Sequence, residues 1–136
     1  MSSDRKGPRV FVVDDEAVIA MTLALILSLR GFDAHAFSLP LEALEKAREL
    51  PPDLLITDVM MPVLSGIELA IQMRVLDPNC KVLLFSGQAA TRDMLAEAGA
   101  SGHHFEVLSK PMQPVDFLER IEALFADRQA DAAPNC

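Results

Sequence analysis

Short apolar runs alternate with longer periodic stretches along this chain, and the alternation predicts its elements. Arg9-Val-Phe-Val-Val13 is β-branched and apolar, the pattern of a strand buried on both faces. Glu16 to Arg30 has helical spacing, and Gly31 stands where a glycine closes a helix. Asp33 to Phe37 predicts a weaker strand. Ser38 is placed to cap a helix running to about Leu50, which must stop before Pro51-Pro52. Leu54 to Thr57 predicts a third strand, and Met61 to Gly66 a loop carrying Pro and Gly. Ile67 to Leu76 is helical and ends before Asp77-Pro78. Lys81 to Phe85 is a fourth strand, Thr91 to Ala98 a short helix closed by Gly99, and Phe105 to Leu108 a fifth strand. Pro114 opens a last helix with Val115, Leu118, Ile121, Leu124 and Phe125 on one face.

Strands alternating with helices imply right-handed crossovers and a parallel sheet covered on both faces, an α/β doubly wound fold. With 136 residues the chain is long enough for one domain with its own core. That domain is expected over residues 9–128, after a disordered N-terminus at 1–8 and before a frayed polar tail at 129–136.

Composition narrows the function classes. Apolar residues make up 51% and charged residues 24%, as in an ordinary folded domain. A net charge of −8 with no basic stripe argues against direct nucleic-acid binding. The longest apolar run, Ala17 to Leu29, is too short to span a bilayer and reads as a buried helix. Two cysteines, Cys80 and the terminal Cys136, fit reduced thiols and a cytoplasmic location better than a disulfide.

In doubly wound folds the chemistry sits at the carboxyl ends of the strands. The first strand ends in Asp14-Asp15-Glu16, the third in Asp58, the fourth in Ser86-Gly87, and the fifth in Lys110-Pro111. Each residue has an ordinary role open to it: a helix cap for Asp14 or Asp15, a turn for Asp58, a solvated loop group for Ser86 or Lys110. Their coincidence on one rim points to a site. Three carboxylates and one ammonium leave the pocket negative, so it should hold a cation, and an all-oxygen set favours Mg²⁺, with Mn²⁺ as an alternative. Lys110 and Ser86 suit phosphoryl oxygens, and an Asp carboxylate can form an acyl phosphate.

Several blocks then resemble the response-regulator receiver domains of two-component signalling. They are Val12-Val13-Asp14-Asp15-Glu16, Leu55-Ile56-Thr57-Asp58-Val59-Met60-Met61-Pro62 with Ser65-Gly66, Leu84-Phe85-Ser86-Gly87, Ala98 to Gly102, and Lys110-Pro111. The resemblance covers about Arg9 to Asp127. It implies a flavodoxin-like (βα)5 fold with five parallel strands in the order 2-1-3-4-5. It implies that Asp58 accepts a phosphoryl group from a histidine kinase or phosphotransfer protein in a Mg²⁺-dependent reaction, with no separate substrate turned over. By the same resemblance Asp15, Asp58 and the backbone carbonyl of Met60 ligate the metal, and Asp14 acts through water or orients it. Ser86 moves toward the phosphoryl group, Lys110 pairs with it, and the Lys110-Pro111 bond is cis. Met60 and Gln88 occupy positions that tune dephosphorylation. Output is expected through contacts with a downstream protein.

The chain departs from the family in places. The aromatic position three residues before Lys110 holds Val107; Phe105, on the same strand face, either replaces it or is a core aromatic. His103 and His104 lengthen the segment before the fifth strand and read as solvated loop residues rather than ligands. The first helix is apolar nearly all round, which predicts either deep burial or an exposed stripe that docks a kinase helical bundle or a second copy. Other classes fit less well. A Mg²⁺ phosphohydrolase needs a second Asp where Met60 stands, and a flavodoxin-like carrier needs a phosphate loop where Asp14-Asp15-Glu16 stands. A pseudo-receiver would not need Asp15, Asp58, Ser86 and Lys110 together.

Overall fold

The apolar runs become five parallel strands, and the periodic stretches become the helices between them. In the computed structural model, which describes residues 7–87, 91–103, 105–109 and 113–132, β1 (Arg9–Val13) leads to α1 (Ala17–Leu29), β2 (Asp33–Phe37) to α2 (Pro40–Glu49), and β3 (Leu54–Asp58) to α3 (Gly66–Leu76). Then come β4 (Lys81–Ser86), α4 (Thr91–Ala100), β5 (Glu106–Ser109) and α5 (Pro114–Ala132). The sheet order is β2-β1-β3-β4-β5, as the resemblance implied. The register pairs Val13 with Thr57, Asp58 with Phe85, and Ser86 with Ser109, so the carboxyl ends of neighbouring strands finish together.

Side-chain alternation splits the core into two layers. Val10, Val12, Leu54, Ile56, Leu83 and Phe85 face α1 and α5, where Ala20, Ala24, Leu27, Phe117 and Ile121 meet them. Phe11, Val13, Leu55, Val82 and Leu84 face the other way, against Ala43, Leu44 and Ala47 of α2 and Leu69, Ala70 and Met73 of α3. Among the described residues no helix is long and apolar enough to cross a membrane.

The amino-end rim of the sheet is tied by Arg9. Its backbone N–H donates to Asp53 Oδ2 at 2.8 Å, its Nε to Asp33 Oδ2 at 3.3 Å, and a terminal guanidinium nitrogen to the Pro51 carbonyl at 3.1 Å. One residue thus joins the starts of β1, β2 and β3, with its guanidinium charge paired to the Asp33 carboxylate.

Some local details differ from the sequence expectations. Ser38 does not cap α2; Leu39 holds that position without a side-chain bond, and Pro40 opens the helix because its missing N–H is not needed there. The end of α4 lies at Ala100, past Gly99, and Gly102 takes the positive φ of +93°. α5 continues to Ala132, into the segment whose composition predicts a tail. On α5, Val115 is exposed, while Phe117 joins Leu118, Ile121 and Phe125 of the predicted stripe in the core.

Cys80 is buried just before β4, and burial, with a smaller contribution from Asp77, pushes its thiol up from 9.0 to about 12. The unfolded thiol then ionises first, so the group's stabilisation is full below pH 9.0 and is lost as pH rises toward about 12. Urea unfolding between pH 8.5 and 10 should show stability falling by about 1 kcal/mol per pH unit above 9. Cys80→Ala should flatten that slope; the chain has no Tyr to mask it.

Candidate acidic site at the carboxyl ends of the strands

Two strand ends deliver the acids. β1 stops at Val13, and Asp14 continues its direction: its N–H donates to the Phe37 carbonyl at 3.1 Å, and its Oδ1 accepts from the Glu16 N–H at 2.9 Å. That second bond shapes the turn into α1, whose cap position is Glu16 with no side-chain cap bond. Asp14 is therefore a turn residue rather than the helix cap, and it is only 4% exposed. Asp15 next to it is exposed, and Asp58 at the end of β3 is half-buried. One carboxylate oxygen from each of the three lies within 4.8 Å of the others. Three like charges at that spacing repel, and an all-carboxylate set suits a hard cation. The residues present fit a divalent metal.

The loop after Asp58 is held closely. Val59 N–H donates to the Phe85 carbonyl at 3.0 Å, and Gly66 N–H donates to the Val59 carbonyl at 2.8 Å. Gly66 lies so close to β3 that an added Cβ would stand 2.1 Å from the Asp58 carbonyl oxygen. The buried Thr57 hydroxyl donates to that same carbonyl at 3.0 Å. Ser65 and Glu68 form a capping box that starts α3. The cap is legible in the sequence as Ser65-x-x-Glu68, whereas the support that Thr57 and Gly66 give to the end of β3 is visible only in the fold. Met60 sits in this loop and is part-exposed.

Ser86 ends β4, half-buried and in register with Ser109 of β5. Asp14, Asp15, Asp58 and Ser86 therefore stand on one rim. Lys110, with the cis bond expected to Pro111, lies outside the described residues, as do Gln88 and His104. Phe105 packs against the α3 side of the core. The Arg74 guanidinium lies 4.8 Å from its ring centroid, and the His103 ring stacks on it at 6.4 Å. Phe105 stands four positions before Ser109 in sequence, about 13 Å along a strand. That distance makes it a core aromatic rather than a partner of Ser86. His103 is accordingly half-buried rather than freely solvated.

α1 buries Ala20, Ala24 and Leu27 and leaves Val18, Met21, Leu25 and Leu29 outside. Val18 and Leu29 are 75% and 78% exposed, so this helix carries an apolar stripe on its solvent face.

Residues 10–122 match the response regulator receiver domain family. The transcriptional regulatory protein PrrA of Mycobacterium leprae (strain TN) is 34% identical over 99% of this chain and 57% of its own length. The chemotaxis protein CheY of Thermotoga maritima is 35% identical over 85% of this chain and 95% of its own length. A CheY-like response regulator receiver domain protein from Methanospirillum hungatei JF-1 shares the fold: its structure superposes with a TM-score of 0.81, covering 92% of this chain and 98% of that one, at 24% identity. The chain spans about half the length of the curated transcriptional regulators it matches.

Proposed function

Because this chain belongs to the response regulator receiver domain family, we propose that it is a phosphorylation switch that accepts a phosphoryl group on Asp58. The observation that carries this is the convergence of Asp14, Asp15 and Asp58, with oxygens within 4.8 Å, on the rim that also holds Ser86. An Asp58 oxygen attacks the phosphorus of a phosphohistidine on a histidine kinase or phosphotransfer protein. The phosphorus–nitrogen bond breaks, the imidazole leaves, and an acyl phosphate forms on Asp58. Bound Mg²⁺, or Mn²⁺ in its place, offsets the negative charge that builds on the phosphoryl oxygens. Asp15, Asp58 and the Met60 carbonyl would hold that cation, and Asp14 would contribute through water or by orientation. Ser86 donates a hydrogen bond to a phosphoryl oxygen, and Lys110 pairs its charge with another.

The apolar stripe of Val18, Met21, Leu25 and Leu29 supports docking of the donor's helices beside the acids. The chain turns over no separate substrate and acts in the cytoplasm through contacts with a downstream protein. DNA binding is carried in the name of the MtrA relatives; for the residues of this chain, a net charge of −8 speaks against direct nucleic-acid contact. A partner-binding pseudo-receiver is the second reading, and the retained acid triad speaks against it.

The test is intact mass after incubation with acetyl phosphate. One added phosphoryl group that needs Mg²⁺ and is absent in Asp58→Asn is expected. No adduct and no release of inorganic phosphate would leave the pseudo-receiver as the better description.

A further inference from the structure

Val63, in the loop between β3 and α3, is the only described non-glycine residue with a positive φ, +73°. Leu64 N–H donates to the Pro62 carbonyl at 2.8 Å, the bond that closes a γ-turn centred on Val63. The form with positive central φ is the rare, strained one. A β-branched side chain suits it worst, whereas glycine takes it freely and asparagine tolerates it. Packing does not ask for valine either, since Val63 is 86% exposed. Neither the backbone nor the core explains the residue.

Its neighbours show what it does to the loop. Met61 and Leu64 are partly buried against the α2–α3 side of the core, and Gly66 is tied back to Val59. The chain must therefore reverse across Pro62 and Val63 between two anchored side chains. The Pro62 ring fixes one φ, and a β-branched residue at positive φ has a narrow range of its own. The two together leave the loop few alternative shapes. Met60 lies immediately before this span, between Met61 and Val59, whose N–H is held by the Phe85 carbonyl at 3.0 Å.

We propose that Val63 is a positioning residue for the cation site: its stiff, strained turn restricts the loop that presents the Met60 carbonyl. Mg²⁺ demands near-ideal octahedral geometry, so a carbonyl held in advance binds it better than a wandering one. This role rests on the cation reading given above. Glycine at position 63 relieves the strain but widens the range of loop shapes, so stability and metal affinity should move in opposite directions.

The experiment compares wild type, Val63→Gly and Val63→Asn by calorimetric titration with MgCl₂ and by melting in chelator. Val63→Gly should melt at the same temperature or higher, with its Mg²⁺ Kd weakened about three- to tenfold, short of the effect of deleting a direct outer-shell partner. Val63→Asn should fall between. Unchanged Mg²⁺ affinity in both variants beside a binding wild type would overturn Val63's role alone, and so would a lowered melting temperature in both. A wild type that takes up no Mg²⁺ would overturn the cation reading, and the role of Val63 with it.

Discussion

Gly66→Ala should lower stability by about 1–3 kcal/mol and slow Mg²⁺-dependent phosphorylation by about 100-fold, more than its one added carbon suggests. The new Cβ would stand 2.1 Å from the Asp58 carbonyl oxygen, 2.9 Å from its carbon and 3.0 Å from Val59 Cα. All three are backbone atoms, so no side chain can swing aside. Either α3 moves away from β3 or the end of β3 moves with its carboxylate. The first outcome disturbs the contacts of Leu69, Ala70 and Met73, all fully buried. The second displaces the acceptor, and a shift of about 1 Å at a reacting atom can cost a hundredfold. Denaturant melts and the rate of adduct formation from acetyl phosphate check the two together. Wild-type values for both would mean that the close approach of Gly66 does not set the geometry of the site.

Asp58→Asn should raise the melting temperature in chelator by several degrees, and lose that advantage in saturating Mg²⁺. Two unit charges no more than 4.8 Å apart repel by about 3.5 kcal/mol or more at an effective dielectric of 20. Asp58 is half-buried and Asp15 exposed, so solvent screening brings the gain from removing one charge to about 1–2 kcal/mol. For a chain of this size that is several degrees. Added KCl should shrink the difference, since screening weakens the repulsion in the wild type. Saturating Mg²⁺ should reverse it, because the wild type gains the free energy of binding a cation that the variant holds poorly. An Asp58→Asn protein that melts at or below wild type in chelator would mean the three carboxylates do not strain the fold.

Periodicity placed all five strands and five helices, because four strands are short apolar runs, the weaker β2 lies between two clear helix patterns, and each helix has at least one apolar face. The rim followed from topology: once the sheet is parallel, Asp14, Asp58 and Ser86 must finish on the same edge. Local chemistry was less legible. Ser38 looks like a cap, but Pro40 fixes where α2 begins, and the helix starts with Leu39 at the cap position. Phe105 could not be assigned from strand alternation alone, because alternation gives its face and not its distance from Ser86. The β4–β5 register supplies that distance, and the Arg74 and His103 contacts explain why the ring stays where it is. Gly66 and Val63 were unreadable for a common reason. A close backbone approach and a positive φ are properties of the folded loop, and nothing in residue type alone reveals them.

The Arg9 network has a consequence for how such a chain can change over generations. At the amino-end rim, charges are matched and join three strands; at the opposite rim, acids are crowded together and repel. A substitution near Arg9, Asp33 or Asp53 alters how firmly the sheet is assembled and leaves the acids at the far ends of the strands in place, while one beside the acids, as at Gly66, reaches the site and the fold together. Because the length of the strands separates the two, a descendant of this chain can loosen or tighten its sheet at the Arg9 rim without disturbing the acids.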